Sequence, residues 1–298
     1  MDDKNFMLKE NKDIYPPFKK GLYLEEFFLK KYKETKIITK RKYIPCLWTN
    51  FQIEPDFVYN ENNYKKKLQD ILNSWLKENP SNDGYFTVVQ HADGCLLELP
   101  SNTLIYSSGG KGDIIIPLIY EDISNRLENE EKKYYHQKDI FCSFVGSLTG
   151  NKDNNSFVRK IIFEKFKNNS EFKFNITNWD PIITKENKDN FITKIINSKF
   201  SFAPRGYGRT SFRFYEVLNL GSVPIYVWDD ILWLPYQDIL DYRKFSIIIN
   251  IKDIDNLENI LNNINEKSYN NMLKEYCNIK HFFNLQYMFE YIIKNLNY

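Results

Sequence analysis

The sequence predicts an α/β protein whose parallel sheets are covered by helices, and three observations carry that expectation. From about residue 140, apolar runs alternate with amphipathic stretches in the order strand, helix, strand, helix, strand, helix, strand, strand, helix. The first half repeats the pattern less regularly, a helix at 64–77 preceding strands at 86–89 and 103–106. At 298 residues the chain suits two domains of about 150 residues each. Both are expected to be Rossmann-like, over residues 1–135 and 136–275, with 276–298 a closing helix that crosses back to the first domain. The boundary is drawn where residues 124–138 turn strongly charged and apolar periodicity lapses.

Taken in order, the first sixty residues read as irregular, broken by Pro16, Pro17, Pro45 and Pro55. Residues 64–77 read as a helix, because Tyr64, Leu68, Ile71, Leu72, Trp75 and Leu76 share one face. After the turn cluster at 79–84, Phe86–Val89 is a buried strand followed by polar His91-Ala92-Asp93-Gly94. A strand over 103–106 ends in the glycine-rich loop 107–112, and Ile114–Ile116 leads to Pro117. Phe141–Val145 is a strand ending at Gly146-Ser147, and 148–155 is loop. A helix follows with Phe157, Val158, Ile161, Ile162 and Phe166 expected inward. Next come a strand at 172–176, a short helix at 189–198 and a strand at 199–203 that stops at Pro204. A helix over 210–220 stops at Gly221, the favoured C-cap residue. Strands at 223–227 and 245–249 and two or three helices complete the chain.

Composition excludes several classes. Lys and Arg number 41 against 39 Asp and Glu, a net charge of +2, which lacks the basic excess of a nucleic-acid binder. The 23 Phe, 21 Tyr and 5 Trp imply a large core and surfaces for planar ligands or sugars. Cys46, Cys95, Cys142 and Cys277 lie far apart, without zinc or disulfide-scaffold spacing, so a reducing compartment is expected. His91, His136 and His281 form no metal motif. The polar N-terminus is no signal peptide, and no apolar run approaches a membrane span. A cytoplasmic, soluble monomer or weak dimer is therefore expected.

The segment most informative about chemistry runs from Phe200 to Glu216. A strand enters a loop carrying Arg205, Gly206, Tyr207, Gly208, Arg209, Thr210 and Ser211, and a helix then carries Arg213 and Glu216. Ligands of open parallel sheets bind at the strands' carboxyl ends. Helix N-termini and arginine forks there suit phosphate. The segment reads as a pyrophosphate cradle without a Walker A sequence.

From Pro204 to Pro224 the sequence resembles the exostosin family of inverting glycosyltransferases. Its signature, P-R-G-x-x-x-x-S-F-R-x-x-E-A-x-x-x-G-x-x-P-V, is matched with Val217 in place of the usual alanine. The resemblance continues through Trp228-Asp229-Asp230 and, upstream, through Asp113–Pro117 and Phe144-Val145-Gly146-Ser147 with Arg159. It implies the GT-B fold, two Rossmann-like domains facing across a cleft. It also implies transfer of a sugar from a nucleoside-diphosphate sugar, with UDP as nucleotide, to a glycan hydroxyl with inversion and without metal or other cofactor. On that resemblance Glu216 would accept from the ribose hydroxyls, and Arg205, Arg213 and Arg159 would neutralise the diphosphate. Gly206, Tyr207, Gly208, Thr210 and Ser211 would shape the phosphate site, bordered by Gly146 and Ser147. A base must take the acceptor proton; Asp93 is preferred and His91 second, from their position after a strand. Family members of animals and plants carry membrane anchors, whereas this chain resembles compact soluble versions of microbes and large DNA viruses, which for a viral protein means the host cytoplasm.

Other readings stand beside these. A carbohydrate- or nucleotide-binding protein could keep the fold without catalysis, and an NAD enzyme is opposed by the absence of G-x-G-x-x-G after a first strand. Asp253-Ile-Asp255 reads as a helix cap with Glu258 rather than a metal motif. Trp228, Trp233 and Tyr236 read as core.

Overall fold

Two all-parallel sheets organise the chain in the computed structural model, which describes residues 16–59, 61–148 and 157–297. The loop expected at 148–155 lies, from residue 149 on, outside the described residues. Among the described residues, 22–121 and 284–297 group as one unit, and 16–21 with 122–283 as the other.

In the first unit the order is α1 (Leu24–Thr35), β1 (Lys42–Tyr43), α2 (Trp48–Gln52), α3 (Pro55–Tyr59), α4 (Glu61–Glu78), β2 (Tyr85–Val89), β3 (Thr103–Ser107) and β4 (Ile114–Ile115). The strands pair in sequential order β1-β2-β3-β4. Every residue of β2 is buried, as expected of the buried strand read at Phe86–Val89. Leu68 and Leu72 of α4 pack with Trp48, Phe51, Tyr85 and Val89. The segment before residue 60 is not irregular. It holds α1, whose inward face includes Glu25 and Glu26 beside Leu24, Phe28 and Leu29. Two buried carboxylates break the polar-out, apolar-in periodicity by which a helix is recognised.

The second unit runs β5 (Ile140–Gly146), α5 (Val158–Phe166), β6 (Phe172–Ile176), α6 (Lys185–Ile196), β7 (Ser198–Phe202), α7 (Arg213–Asn219), β8 (Val223–Trp228), β9 (Ile247–Asn250), α8 (Leu257–Asn262) and α9 (Glu266–Ile279). Its sheet order is β6-β5-β7-β8-β9, with β5 flanked by β6 on one side and β7 on the other. Phe144, Phe200, Phe202, Ile225, Val227 and Ile249 form the sheet's share of a core closed by Val158, Ile162 and Phe166 of α5. Phe166 stacks on Phe172 at 4.4 Å between ring centroids. Phe157 and Ile161, expected inward, are exposed, because the inner stripe of this short helix follows i, i+4, i+8 through residues 158, 162 and 166.

The charged stretch 122–138 groups with the second unit, so the grouping changes at 121/122 against the expected 135/136. Its lysines explain why: Lys138 is buried and its Nζ donates to the Ile196 carbonyl at 2.6 Å, while Lys132 packs against Gly221. The final helix, α10 (Leu285–Leu296), packs on α1 through Phe289 and Phe28, and Tyr106 of β3 donates to Asn295 at 2.7 Å.

Helix α7 begins at Arg213, later than the expected residue 210. Ser211 instead forms the entry turn, accepting the Arg213 N–H at its hydroxyl and the Phe214 N–H at its carbonyl. The stop is the one the sequence signalled. Gly221 has φ +73°, and the Gly221 and Ser222 N–H groups return to Leu218 and Val217, a Schellman closure. Asp255 does not cap α8. A 3-10 turn over Ile251–Asn256 precedes that helix, Asp255 pairs with Lys165, and Glu258 accepts from Asn169.

Candidate functional site

A sheet whose strand order reverses leaves a crevice at the carboxyl ends of the two strands that diverge. In the second unit those strands are β5 and β7. Gly146 closes β5 and continues to Ser147, while Ala203–Arg209 continue from β7. Sequence segments sixty residues apart in the chain thus border the reversal point, as the motif reading expected of Gly146, Ser147, Arg205 and Gly206.

Arginines line this place, each held differently. Arg159, on the first turn of α5, donates from Nη1 to the Ser147 carbonyl and from Nε to the Arg205 carbonyl, both at 3.0 Å. It clasps the β5 and β7 loops together. A Cβ added at Gly206 would stand 3.0 Å from its Nη2, so the backbone passes close beneath it. Arg213 lies over the Phe144 ring at 4.9 Å and the Phe191 ring at 5.9 Å. Its guanidinium occupies the space a side chain at residue 146 would take, 2.5 Å from a built Cβ, and Gly146 has φ +141°.

Arg205 and Arg209 are engaged by carboxylates. Arg205 Nη1 meets Asp229 Oδ1 at 2.6 Å and Asp230 Oδ1 at 3.0 Å. Arg209 donates from Nε and Nη2 to Asp230 Oδ2, at 2.9 and 2.7 Å, and lies over the Trp233 ring. Burial raises the Asp230 pKa, but the Arg209 hydrogen bond, the Ile231 N–H and both arginine charges outweigh it and hold the carboxyl at about 2. The Tyr226 hydroxyl donates to the Arg209 carbonyl at 2.6 Å, fixing the loop from β8. Sequence reasoning matched Asp229 and Asp230 to the motif but gave them no part in the site. The signal available was their place directly after β8, in the sheet next to β7.

Glu216 lies one turn into α7 and is 7% exposed. A carboxylate buried this far from bulk water is held by hydrogen-bond donors rather than by solvation. Tyr207, Gly208 and Thr210 are half-buried in the loop between β7 and α7.

The other expected group sits at the carboxyl end of the first unit's sheet. His91 and Asp93 follow β2, and the 107–112 loop follows the neighbouring β3, tied across by the Ser108 N–H to the Val89 carbonyl at 3.0 Å. The Asp93 N–H donates to His91 Nδ1 at 3.2 Å, and Lys111 approaches the Asp93 carboxylate at 3.8 Å. Burial lowers the His91 pKa, opposed by Asp93 and aided by Lys111, so the ring is neutral at pH 7. With Nδ1 accepting, the neutral ring carries its proton on Nε2 and acts as a donor there.

Glu25 was missed by the sequence reading. It is 2% exposed, and its carboxyl accepts the Gln90 N–H at 2.6 Å and the Thr49 N–H and hydroxyl at 3.0 and 2.8 Å. Burial pushes its pKa up to about 7 against those hydrogen bonds. It pins the residue between β2 and His91. Among the described residues no group of three or more His, Cys, Asp or Glu side chains could hold a metal ion, and no helix is long and apolar enough to cross a membrane.

An all-parallel sheet with arginines at its reversal point places this chain among α/β proteins whose strand-end loops present positive charge. The sequence matches the Exostosin GT47 domain over residues 79–264, more than half the chain, and the chain belongs to that family. The mixed α/β architecture with two parallel sheets agrees with the GT-B type expected. A protein of Arabidopsis thaliana named a probable glycosyltransferase is 36% identical over 29% of this chain and 17% of its own length. A probable glucuronosyltransferase of Oryza sativa subsp. japonica is 26% identical over 58% of this chain and 41% of its own. A probable beta-1,4-xylosyltransferase of Arabidopsis thaliana is 26% identical over 36% and 24% respectively. The matched stretches thus span less than half of these relatives' lengths.

Proposed function

We propose that this protein transfers a sugar from a nucleoside-diphosphate sugar to a glycan hydroxyl, with inversion and without a metal. The observation that carries the reading is the gathering of Arg159, Arg205, Arg209 and Arg213 at the reversal point of the second sheet, in a chain of the GT47 family. UDP is the proposed nucleotide. The relatives' names suggest glucuronic acid and xylose as first donor sugars to try.

In the proposed reaction the acceptor oxygen attacks the anomeric carbon while the bond from that carbon to the diphosphate breaks. The electron pair leaves with the nucleoside diphosphate, whose charge the arginines stabilise. Glu216 is proposed to accept from the ribose hydroxyls. Asp93 is the proposed base that takes the acceptor proton. It is favoured over His91 because the ring nitrogen that could accept a proton already receives the Asp93 N–H. A reducing compartment is the proposed setting, supported by Cys46, Cys95, Cys142 and Cys277 all standing as free thiols.

The test is a thermal-shift panel with UDP, GDP, CMP, NAD, UDP-glucuronic acid and UDP-xylose in EDTA, followed by an assay of UDP release with glycan acceptors. A ligand that binds only the folded state raises Tm by mass action. A rise with UDP and one UDP-sugar, with release on adding acceptor, is expected. UDP binding without release under any acceptor would favour the non-catalytic binder, and a shift with NAD alone would overturn the reading.

A further inference from the structure

We propose that Asp230, with Asp229 beside it, is a resident anion that stands in the diphosphate position and is displaced when a pyrophosphate group enters. This rests on the donor-site reading above and adds a residue that sets both affinity and the choice of diphosphate over monophosphate.

The geometry is that of a stand-in phosphate. One carboxylate bridges two guanidiniums, Oδ1 to Arg205 Nη1 at 3.0 Å and Oδ2 to Arg209 Nη2 at 2.7 Å. Two oxygens on one central atom, each serving a different arginine, is how a phosphate group bridges a pair of forks. Asp229 adds a second carboxylate on Arg205 at 2.6 Å. Two positive side chains therefore face two negative ones, and this pair of arginines presents no net charge to an arriving anion.

Exposure gives the order of the layers. The Asp230 side chain is 43% exposed, against 13% for Arg205 and 19% for Arg209. The carboxylate lies outermost with the arginines beneath, so rotation about its side-chain bonds uncovers them without moving the backbone. The arginines stay where other contacts hold them: the Arg209 carbonyl on Tyr226, the Arg209 guanidinium over Trp233, and the Arg205 carbonyl on Arg159. Asp230 remains ionised at neutral pH, so a proton does not open the site and a competing anion must. A monophosphate can replace Asp230 alone, whereas the second phosphate of a diphosphate can also take the place of Asp229 on Arg205. After transfer, the returning carboxylate competes with the departing diphosphate and speeds its release.

The experiment is calorimetric titration of inorganic pyrophosphate, UDP and UMP into the wild-type protein and into Asp230→Asn, Asp229→Asn and Asp230→Glu. Asp230→Asn should tighten pyrophosphate and UDP about tenfold, the worth of one or two partly exposed ion pairs. UMP should gain less, Asp229→Asn should tighten in the same direction by less, and Asp230→Glu should stay near wild type. If wild type binds UDP but Asp230→Asn binds it equally or more weakly, Asp230 positions the arginines and the inference falls while the donor reading stands. If Asp230→Asn tightens pyrophosphate while neither protein binds UDP, the resident anion stands and the nucleotide reading falls. No binding of either ligand to either protein overturns both. Should Asp230→Asn not fold, Asp229→Asn decides alone: any loosening of pyrophosphate overturns the inference.

Discussion

The two sheets are both parallel, yet they offer a ligand different things. The second reverses its strand order between β5 and β7, and Gly146-Ser147 and Ala203–Arg209 continue from those two strands at their carboxyl ends. The first runs in sequential order, β1-β2-β3-β4, and its strand-end loops lie side by side, tied by the Ser108 N–H to the Val89 carbonyl. Charge follows the same division. Arginines fill the reversal point of the second sheet, whereas one neutral histidine, one aspartate and one lysine stand at the end of the first. On the proposed reaction, strand order separates the arginines offered to the leaving group from the residues offered to the acceptor proton.

Substitutions can break that division of labour. The largest effect is expected from Asp93→Asn, which should leave UDP affinity intact while lowering transfer by about a hundredfold or more, the scale of a lost general base. Parallel titration and turnover assays decide it, and retained turnover would move the base elsewhere. Next, Arg205→Ala should weaken UDP about tenfold or more while uridine changes by less than about twofold, if the guanidinium serves the diphosphate as proposed. Equal losses for the two ligands would remove that role.

Stability experiments sharpen the contrast further. The native Glu25 carboxyl keeps its proton up to about pH 7, whereas the unfolded one loses it near 4.5. Between those values the native state binds more protons, so this group's stabilisation is greatest below about 4.5 and is lost as pH rises toward 7. Urea unfolding of wild type at pH 5 and pH 8 should show that fall, and Glu25→Gln should flatten it by on the order of 2 kcal/mol. The smallest effect is expected for Gly221→Ala. Its φ of +73° strains any side chain, and equilibrium unfolding should register a loss of about 1 kcal/mol.

What could be read from the sequence follows from how each feature is built. The strand–loop–helix stretch from Phe200 to Gly221 was legible because strand, loop, helix and stop signal fall within one contiguous run. Strand β2 was legible because a fully buried strand is nearly all apolar, and its one small polar residue, Thr87, has its hydroxyl taken up by Trp48 and the Ile44 carbonyl. Helix α1 was not, since Glu25 and Glu26 point inward and spoil the pattern that burial normally writes. The Arg205 and Arg209 ion pairs were not assigned either. Their carboxylates belong to the next strand's end, and a pairing across adjacent strands leaves no spacing rule in the chain. Asp255 and Glu258 had the spacing of a cap, but Lys165 and Asn169 from elsewhere in the fold took their side chains.

Helix α10 has a consequence for how the molecule is made. Leu285, Met288, Phe289, Ile292 and Leu296 are buried, and the helix belongs with α1 and β3, residues translated long before it. On the ribosome, Phe28 can meet Tyr32, Tyr43 and Phe86 of its own unit early, but Phe289 reaches it only after the whole of residues 122–283 has been synthesised. The unit begun second needs only residues 16–21 from upstream and can complete its core earlier. The unit begun first is thus the last to have its full sequence, with one apolar face of α1 waiting for α10.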